Sequence, residues 1–385
     1  MTMTTLPFVK NLFMTAMAAL ISAVLLNAGT MEAAPASTSG VNITFNGDEF
    51  TPEAKPFTKD GTIFLPLRDL GNLLNAVVYW SAKDKTVTLT YPERLVTLKL
   101  GSREADINGV KTALSAPIQM KNQRVYVPLR FFSEATGAKV EWKAASRTVA
   151  ITANASYVKN LPENPAVWVN RKTGDLYTSA SFFSKPAKAG TLNADFQEYL
   201  EVTAVKLDGD GLMVTVLDNY GEPHINFDVY TAFVKDNKLL KETKAHYWQR
   251  YEANVISSEG RPLLTDGKTL YLLNKDGKEL ASYDLPALVG LDEEYTVAAV
   301  DDSYLIVRPN RTGLLTLINL DNNQVVKLYQ ELLPTAEDLE YAEKNDVPYH
   351  GDTLIFAGET DDGTLKFLYD SPFDKKGELE LYYTL

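Results

Sequence analysis

Cysteine is absent from all 385 residues, and this excludes several kinds of chemistry at once. Without thiols the chain can form no disulfide, no thiolate metal site and no cysteine nucleophile, and it lacks the cysteine that accepts lipid in a lipoprotein. Stability must therefore come from packing and hydrogen bonding. The composition suits this, because 45% of the residues are hydrophobic and 23% are charged, which is ordinary for a globular protein.

Recognisable catalytic patterns are also missing. The three histidines, His224, His246 and His350, lie far apart in the sequence and form no His-x-His pair. There is no Gly-x-Ser-x-Gly elbow, no His-Glu-x-x-His helix and no glycine-rich phosphate loop. We therefore expect no catalytic residue, no metal and no cofactor. One alternative stays open, because two of the 38 acidic residues between 154 and 385 could lie roughly 5 to 9.5 Å apart and hydrolyse a glycan.

Long hydrophobic runs are absent except for one near the start of the chain. Lys10 precedes an apolar run from Leu12 to Leu26, and Ala34-Pro35-Ala36 supplies small residues at the spacing that a signal peptidase reads. We interpret residues 1–36 as an export signal, since the run is shorter than the roughly 20 residues of a spanning helix. A retained membrane anchor is the alternative. An exported protein without disulfides is more typical of bacteria with one membrane and a thick wall than of animal secretion.

The net charge of −12 is unevenly distributed along the chain. Residues 41–153 carry 15 basic and 11 acidic side chains, whereas residues 154–385 carry 22 basic and 38 acidic ones. The acidic second part argues against a nucleic-acid or anionic-lipid partner there, and after signal cleavage we expect no membrane contact. The mildly basic first part could lie against an anionic cell-wall polymer. A generic solvated surface is the alternative.

The clearest positive feature is an internal repeat, in which residues 45–90 recur as residues 107–152 at an offset of 62 without a gap. Each copy begins with an Asn-Gly step, which favours a tight hairpin, and a strand then leads through a proline into a short helix. Two alternating strands complete a ββ-α-ββ unit. Copies this small bury too little surface alone, so we expect them to share one core in a domain spanning residues 41–153. The matched segments are Asn46-Gly47 and Asn108-Gly109, Leu65-Pro66-Leu67-Arg68 and Val127-Pro128-Leu129-Arg130, Val78-Tyr79-Trp80 and Val140-Glu141-Trp142, and Thr86-Val87 and Thr148-Val149.

With these motifs the repeat resembles the copper amine oxidase N-terminal domain, also called the stalk domain. The resemblance implies an antiparallel sheet wrapped on short helices and a noncatalytic module of exported bacterial proteins. Copy one departs from the pattern at Asn75 and Tyr79. It does not imply oxidase activity here, because the family's catalytic domain binds copper through three histidines that include a His-x-His pair. The nearest string to its quinone motif, Val216 to Gly221, lacks the required threonine and acid.

The rest of the chain is predicted to be β-rich, which makes the whole protein mainly β. Pro162 and Pro165 lie in a stretch without apolar periodicity, so residues 154–175 are interpreted as a linker. Residues 176–385 contain hairpin patterns at roughly the spacing of propeller blades, and we expect an antiparallel, propeller-like domain of about five blades. A twisted sandwich or an incomplete propeller is the alternative, because a helical stretch near Thr335 to Lys344 interrupts the period.

Candidate binding residues are aromatic or basic. Trp168, Tyr247, Trp248 and Arg250 could form a stacking surface for a sugar or a peptide, and core packing is their alternative role. Arg68 and Arg130, in the first helical turn of each copy, could meet wall phosphates or carboxylates, or instead pair with acids of their own domain. The acids in Asp208-Gly209-Asp210-Gly211 resemble the start of a calcium loop, but the later ligand positions do not fit and a simple turn is favoured.

Together these features predict an exported, noncatalytic protein of the cell surface or the secreted fraction. Its stalk-like domain would serve as a spacer or contact the wall, and its second domain would present a surface to a peptide or a glycan. Two rivals remain: a glycan-active hydrolase with paired carboxylates, and an extracytoplasmic sensor held by an uncleaved helix. The N-terminal residue of the mature chain separates the last rival from the others.

Overall fold

Short strands joined by tight turns make up most of the molecule. The computed structural model describes residues 41–153, 156–161, 165–344, 351–373 and 377–385. The predicted export signal, residues 1–36, lies outside the described residues. Within the described parts of the chain, no helix combines the length and apolar character needed to cross a membrane.

We call residues 41–153 the N-terminal region. Its elements are β1 (Asn42–Phe45), β2 (Asp48–Phe50), β3 (Phe57–Lys59), β4 (Thr62–Pro66), α1 (Leu67–Leu73), β5 (Val77–Ser81), β6 (Thr86–Tyr91), β7 (Arg94–Lys99), β8 (Glu104–Ile107), β9 (Val110–Ala113), β10 (Gln119–Lys121), β11 (Arg124–Pro128), α2 (Leu129–Thr136), β12 (Lys139–Lys143) and β13 (Thr148–Thr152).

We call residues 156–385 the C-terminal region. Its elements are β14 (Tyr157–Lys159), β15 (Ala166–Asn170), β16 (Asp175–Ser179), β17 (Ala187–Thr191), β18 (Tyr199–Lys206), β19 (Leu212–Tyr220), β20 (Asn226–Lys235), β21 (Lys238–Trp248), β22 (Ser257–Ser258), β23 (Arg261–Thr265), β24 (Thr269–Leu273), β25 (Glu279–Asp284), α3 (Leu285–Val289), β26 (Tyr295–Val300), β27 (Tyr304–Pro309), β28 (Thr316–Asn319), β29 (Val325–Lys327), α4 (Leu328–Leu332), α5 (Ala336–Lys344), β30 (Ile355–Glu359), β31 (Leu365–Tyr369) and β32 (Leu379–Tyr383).

Tight turns begin each half of the N-terminal region. Asn46 and Gly47 have φ angles of 51° and 102°, and Asn108 and Gly109 have φ angles of 54° and 84°. Both positions of such a two-residue turn need positive φ, which Asn and Gly tolerate best. The turns join β1 to β2 and β8 to β9 in antiparallel pairs. The predicted hairpin at each Asn-Gly step is therefore observed.

Three sheets surround the core of the N-terminal region. Their strand orders are β12-β13-β1-β2, β10-β11-β4-β3 and β5-β6-β7-β8-β9. In the second sheet β4 and β11 run antiparallel, and Leu65 lies opposite Val127. Both side chains are fully buried and belong to one cluster that also contains Leu70, Val87 and Val149. The short helices α1 and α2 follow β4 and β11 directly, so they begin at opposite ends of the two central strands of this sheet.

The C-terminal region contains five small sheets in succession. Four have four strands each, in the orders β14-β15-β16-β17, β18-β19-β20-β21, β22-β23-β24-β25 and β26-β27-β28-β29, and the last has the order β30-β31-β32. Neighbouring strands in each sheet are consecutive in the chain and antiparallel. The protein is thus mainly β, as expected. The helical stretch predicted near Thr335 to Lys344 is observed as α5.

The segment interpreted as a linker differs from expectation. Residues 154–175 include β14 and β15, which form the first two strands of a sheet. β15 is buried at Ala166, Val167, Trp168 and Val169, because it packs both within the C-terminal region and against the N-terminal region. Pro165 directly precedes β15 and does not interrupt it, while Pro162 lies outside the described residues. Sequence periodicity missed the strand because a strand buried on both faces does not alternate.

Several specific contacts dock the two regions. The indole N–H of Trp168 donates to the Asn75 backbone oxygen at 2.7 Å, and the Asn75 side-chain amide donates to the Tyr157 oxygen at 3.0 Å. The ring of Tyr79 stacks on Phe182 with 5.1 Å between centroids. Asn75 and Tyr79 are the two positions at which copy one departs from the repeat pattern. Both departures therefore lie at the docking surface.

Candidate functional site

A groove lies beside the first turn of α1, and we call it the Arg68 groove. It encloses a cavity of about 380 Å³, a size typical of small-ligand sites. One wall comes from α1 and β5 of the first copy, and the other comes from the β10–β11 hairpin of the second copy. The lining residues are Glu53, Pro66, Leu67, Arg68, Asp69, Val78, Trp80, Val87, Met120, Asn122, Gln123, Arg124 and Val125.

Arg68 is the accessible cation of this groove. It is exposed and makes no hydrogen bond or ion pair with another described residue. The other arginine, Arg124, is committed to acids, since it lies 3.0 Å from Glu53 and 3.5 Å from Asp69. Asp69 is 8% exposed and also accepts the Ala54 N–H at 3.0 Å. The intra-domain ion pair considered for Arg68 is thus made by Arg124 instead.

A second groove, which we call the Arg130 groove, lies beside the first turn of α2. Its cavity is about 490 Å³ and it is more open to solvent. Arg130 is exposed, and the Trp142 side chain is 38% exposed. The lining residues are Thr58, Gly61, Thr62, Ile63, Ser115, Leu129, Arg130, Val140 and Trp142.

The two grooves correspond residue by residue. All nine residues that line the Arg130 groove lie 62 positions from a residue that lines the Arg68 groove. Leucine, arginine, valine and tryptophan occupy four of these positions in both grooves. Polar character differs at others, since Thr62 and Ser115 stand where the Arg68 groove has Arg124 and Glu53. Both grooves therefore combine an arginine with an indole ring, and among their described lining residues the acids, Glu53 and Asp69, belong to the Arg68 groove.

Two predicted stacking residues lie in the core. Trp168 and Tyr247 are both 0% exposed, so neither presents a ring face to a ligand. Tyr247 donates its hydroxyl hydrogen to the Tyr295 oxygen at 3.0 Å and accepts the Asn254 amide at 3.1 Å. Burial raises the pKa of the Tyr247 hydroxyl well above its usual range. Both side chains therefore pack in the core, which was the alternative role considered for them.

Trp248 and Arg250 lie two residues apart in the chain but differ in environment. The Trp248 side chain is 47% exposed at the end of β21. Arg250 points inward, where its guanidinium donates to the Gly313 oxygen at 3.0 Å and to the Asp352 oxygen at 3.4 Å. Of the four residues predicted to form a stacking surface, Trp248 alone presents its ring to solvent.

Arg250 belongs to a buried network that sequence reasoning missed. At its centre is Arg308, which is 2% exposed and lies 2.7 Å from the Asp352 carboxylate and 3.0 Å from Glu252. Burial would lower the pKa of Arg308, but the two carboxylates outweigh it and raise the pKa above the usual value. The available signal was one arginine within the apolar strand Tyr304–Pro309.

The described histidines pair with acids. His246 Nδ1 lies 2.7 Å from Asp228, and His224 Nε2 lies 3.1 Å from Glu198, while His350 lies outside the described residues. The hydrogen bond with His224 lowers the pKa of Glu198. Across the part of the chain that the structure describes, no group of three or more His, Asp or Glu side chains is placed to hold a metal ion.

The candidate calcium loop is a turn. The Leu207 N–H donates to the Gly211 oxygen at 2.8 Å and closes it. Asp210 adopts a φ of 65° and forms an ion pair of 2.8 Å with Lys206, whose hydrogen bond lowers the pKa of Asp210. The turn was the favoured interpretation from sequence.

The groove tryptophans were not singled out from the sequence. Trp80 and Trp142 end the Val-x-Trp motifs, which were interpreted only as parts of strands. Their positions in β5 and β12 place each ring beside the arginine of its own copy. The repeat could have indicated these tryptophans, because each copy has an arginine followed twelve residues later by a tryptophan.

The architecture described here is that of a mainly β protein whose first region carries two arginine–tryptophan grooves. Residues 44–151 match the family model of the copper amine oxidase N-terminal domain. The resemblance seen in the sequence is thereby confirmed. The match does not extend to the C-terminal region.

Whole-chain comparisons are distant. No curated protein matches the sequence. A Mycobacterium tuberculosis puromycin-hydrolysing peptidase is 15% identical with a TM-score of 0.28, and the alignment covers 76% of this chain but only 43% of the peptidase. The dihydro-heme d1 dehydrogenase NirN is 13% identical with a TM-score of 0.19, covering 73% and 68% of the two chains. The AfRom2 CNH domain is 7% identical with a TM-score of 0.19, covering 80% and 93%.

Proposed function

We propose that this is an exported bacterial protein that binds and positions without catalysing, either secreted or at the cell surface. Residues 1–36 direct export and are removed. The N-terminal region contacts an anionic polymer of the cell wall and serves as a spacer. The C-terminal region presents its loops to a peptide or a glycan partner.

The Arg68 groove carries the wall-contact part of this proposal. An exposed guanidinium that makes no ion pair with another described residue offers several N–H donors to a phosphate or a carboxylate. It lies in a cavity of about 380 Å³ beside an indole ring, where an apolar body attached to the anion can pack. The surplus of basic residues in the N-terminal region favours the same class of ligand.

The docking contacts support the spacer role. Trp168, Asn75 and Tyr157 form hydrogen bonds across the two regions, and the Tyr177 hydroxyl reaches Glu93 at 3.1 Å. Burial raises the pKa of Tyr91 to about 12, consistent with its position against Tyr157 in this apolar contact. A spacer must transmit orientation, and an interface with buried aromatic rings does this better than a flexible linker.

The finer architecture is part of the proposal. The N-terminal region is a duplicated unit whose halves are related by a two-fold axis between Leu65 and Val127. Support comes from the β4–β11 register, in which Phe64 pairs with Pro128 and Pro66 pairs with Tyr126, the reciprocal pattern of two equivalent strands. The C-terminal region is an incomplete β-propeller, a proposal supported by its five consecutive antiparallel meanders.

A sedimentation assay tests the wall contact. The mature protein, beginning at residue 37, is mixed with purified cell walls at low salt and centrifuged. We expect retention that declines as salt is added, because the contact is electrostatic and partly exposed. The matched control replaces Lys268 and Lys344, two exposed lysines of the C-terminal region, by Gln and should be retained like the parent. Loss of the parent to the supernatant at low salt would overturn the proposal.

A further inference from the structure

We infer that the N-terminal region holds two equivalent binding sites for an acidic saccharide, one in the Arg68 groove and one in the Arg130 groove. This inference rests on the wall contact proposed above and specifies its ligand and stoichiometry. The ligand is a sugar unit that carries a carboxylate or a phosphate. Each chain takes two such units.

The two grooves share part of their lining. The four positions that keep their residue type in both grooves supply an arginine, an indole ring and two aliphatic side chains. The guanidinium matches a carboxylate or a phosphate, and the indole face matches the apolar face of a pyranose ring. A ligand with an anionic group on a flat, partly apolar ring satisfies both at once.

Both grooves are also lined by neutral side chains that form hydrogen bonds. Asn122 and Gln123 line the Arg68 groove, while Thr58, Thr62 and Ser115 line the Arg130 groove. Amide and hydroxyl groups both donate and accept, as sugar hydroxyls do. These side chains are therefore suited to the several hydroxyls of a saccharide, which favours a sugar over an extended peptide as the occupant.

Each groove is lined by residues from both halves of the N-terminal region. The Arg68 groove is closed by the β10–β11 hairpin, and the Arg130 groove is closed by residues of β3 and β4. The β4–β11 pairing, with Leu65 opposite Val127, places each hairpin against the other half. A fold that forms one groove thus forms the other, and the predicted number of sites per chain is two.

The grooves differ in their polar lining. In the Arg68 groove the charge of Arg124 is offset by Glu53 and Asp69, at 3.0 and 3.5 Å. At the positions of Arg124 and Glu53 the Arg130 groove has the hydroxyls of Thr62 and Ser115. This exchange removes one basic and one acidic side chain together, so the shared arginine is the cation that both grooves offer to an anionic group.

Isothermal titration of the mature protein with digalacturonate and with glycerol phosphate tests this inference. We expect two sites per chain for digalacturonate, one after Arg68→Gln, one after Arg130→Gln, and none after both changes. The glycerol phosphate arm shows whether the anion alone suffices, and weaker binding than digalacturonate by about tenfold or more is expected if the sugar ring contributes. Arg103→Gln, an equal charge change on an exposed residue outside both grooves, should keep two sites.

Several results would overturn the inference. These are a single site in the parent, unchanged binding in the double variant, or equal loss in the Arg103 control. Circular dichroism of each variant shows that it is folded, and Arg68→Lys, which keeps the charge but not the paired donors, should weaken the first site without removing it. If walls retain the double variant as well as the parent, the grooves are not the wall contact and this inference fails, while an electrostatic contact elsewhere on the N-terminal region stands. If two sites are found but walls retain nothing, the saccharide sites stand and the wall contact fails.

Discussion

Trp168 and Trp248 occupy opposite environments. Trp168 fills a small cluster with Val77, Ala166 and Tyr177, and its N–H is satisfied by the Asn75 oxygen. Trp248 ends β21 with 47% of its surface exposed. A buried ring contributes both removed apolar area and packing contacts, whereas an exposed ring contributes little of either. Residue type alone does not distinguish the two.

Truncation of the two rings should therefore have different effects. Trp168→Ala is expected to lower the free energy of unfolding by about 3–5 kcal/mol, because it leaves a cavity at the docking surface. Trp248→Ala should change it by less than about 1 kcal/mol. Urea unfolding followed by far-ultraviolet circular dichroism measures both. Similar losses in the two variants would show that Trp168 is not a core residue.

Asp338 shows how local donors set the titration of a buried acid. It is 1% exposed and accepts hydrogen bonds from Thr335 and Ser371 at 2.6 Å and from Tyr369 at 2.9 Å. Burial alone would raise its pKa, but these hydroxyl donors outweigh burial and hold the pKa below the usual 3.8. The folded state therefore favours the carboxylate. Its contribution to stability is complete above the unfolded-state pKa and declines as pH falls through the folded-state value.

Asp338→Asn should accordingly be most damaging near neutral pH. We expect a loss of about 1–3 kcal/mol at pH 7, since the hydroxyl donors lose a charged acceptor. The difference from the parent should shrink as pH falls below about 4, because the unfolded parent takes up a proton there while the folded parent still holds the carboxylate. Urea midpoints between pH 7 and pH 3 measure this. Glu337→Gln, on the exposed neighbour, should show no such convergence, and a constant difference for Asp338→Asn would contradict the assignment.

At the scale of elements, the end of α1 has been adapted for docking. Asn75 takes a φ of 56° just beyond the helix, where copy two has Gly137 at 75°. Either residue tolerates this left-handed conformation, but Asn alone adds a side-chain amide. That amide bonds the Tyr157 oxygen at 3.0 Å, while Gly137 is exposed. The residue after the helix therefore ends the helix in both copies, and in copy one it also binds the C-terminal region.

Exchanging these two residues tests the adaptation. Asn75→Gly keeps the backbone conformation and should cost about 1 kcal/mol through the lost hydrogen bond, and Asn75→Ala should cost about 1–2 kcal/mol more through backbone strain. Gly137→Asn should be nearly neutral. Denaturant midpoints give the energies, and faster hydrogen exchange of the Trp168 indole should accompany the Asn75 variants alone. Unchanged exchange would argue against a docking role.

At the scale of the whole molecule, the Arg308 network joins distant segments of the C-terminal region. Arg308 donates to the Gly313 oxygen, the Asp352 carboxylate and the Leu354 oxygen, and it also contacts Glu252. The Asp352 carboxylate in turn accepts the Leu315 N–H at 2.7 Å. These groups come from segments up to 102 residues apart when Arg250 is included. The network ties the last sheet to those before it.

Breaking the network should destabilise the C-terminal region strongly. Arg308→Met leaves the buried Asp352 without its counter-charge, and we expect a loss of about 3–5 kcal/mol. The double change Arg308→Met with Asp352→Asn should be less severe than the single one. Arg261→Met, which removes a pair with the exposed Asp302, should cost at most about 1 kcal/mol. Urea midpoints rank the three variants, and a mild effect of Arg308→Met would show that the network is not essential.

Much of the N-terminal region could be predicted from the repeat. Arg68 and Arg130 were chosen as candidates because a motif that recurs at a fixed offset marks equivalent places. The pairing of Arg124 with Glu53 and Asp69 could not be found, since it joins residues of different copies across the groove. Core packing was one of two roles considered for Trp168, and the sequence could not decide between them because its hydrogen-bond partner Asn75 lies 93 residues away.

Local patterns, read alone, determined the hairpins, the short helices, the duplicated motif and the mainly β character of this protein, because turn chemistry and alternation act over a few residues. The tertiary structure alone decided which aromatic rings are buried, which arginines are committed to acids, and that each groove is closed by the opposite copy. These outcomes depend on pairings between distant segments, such as Arg124 with Glu53, 71 residues apart, and Arg308 with Asp352, 44 residues apart. No short-range signal specifies such pairings, since they follow from how complete sheets pack.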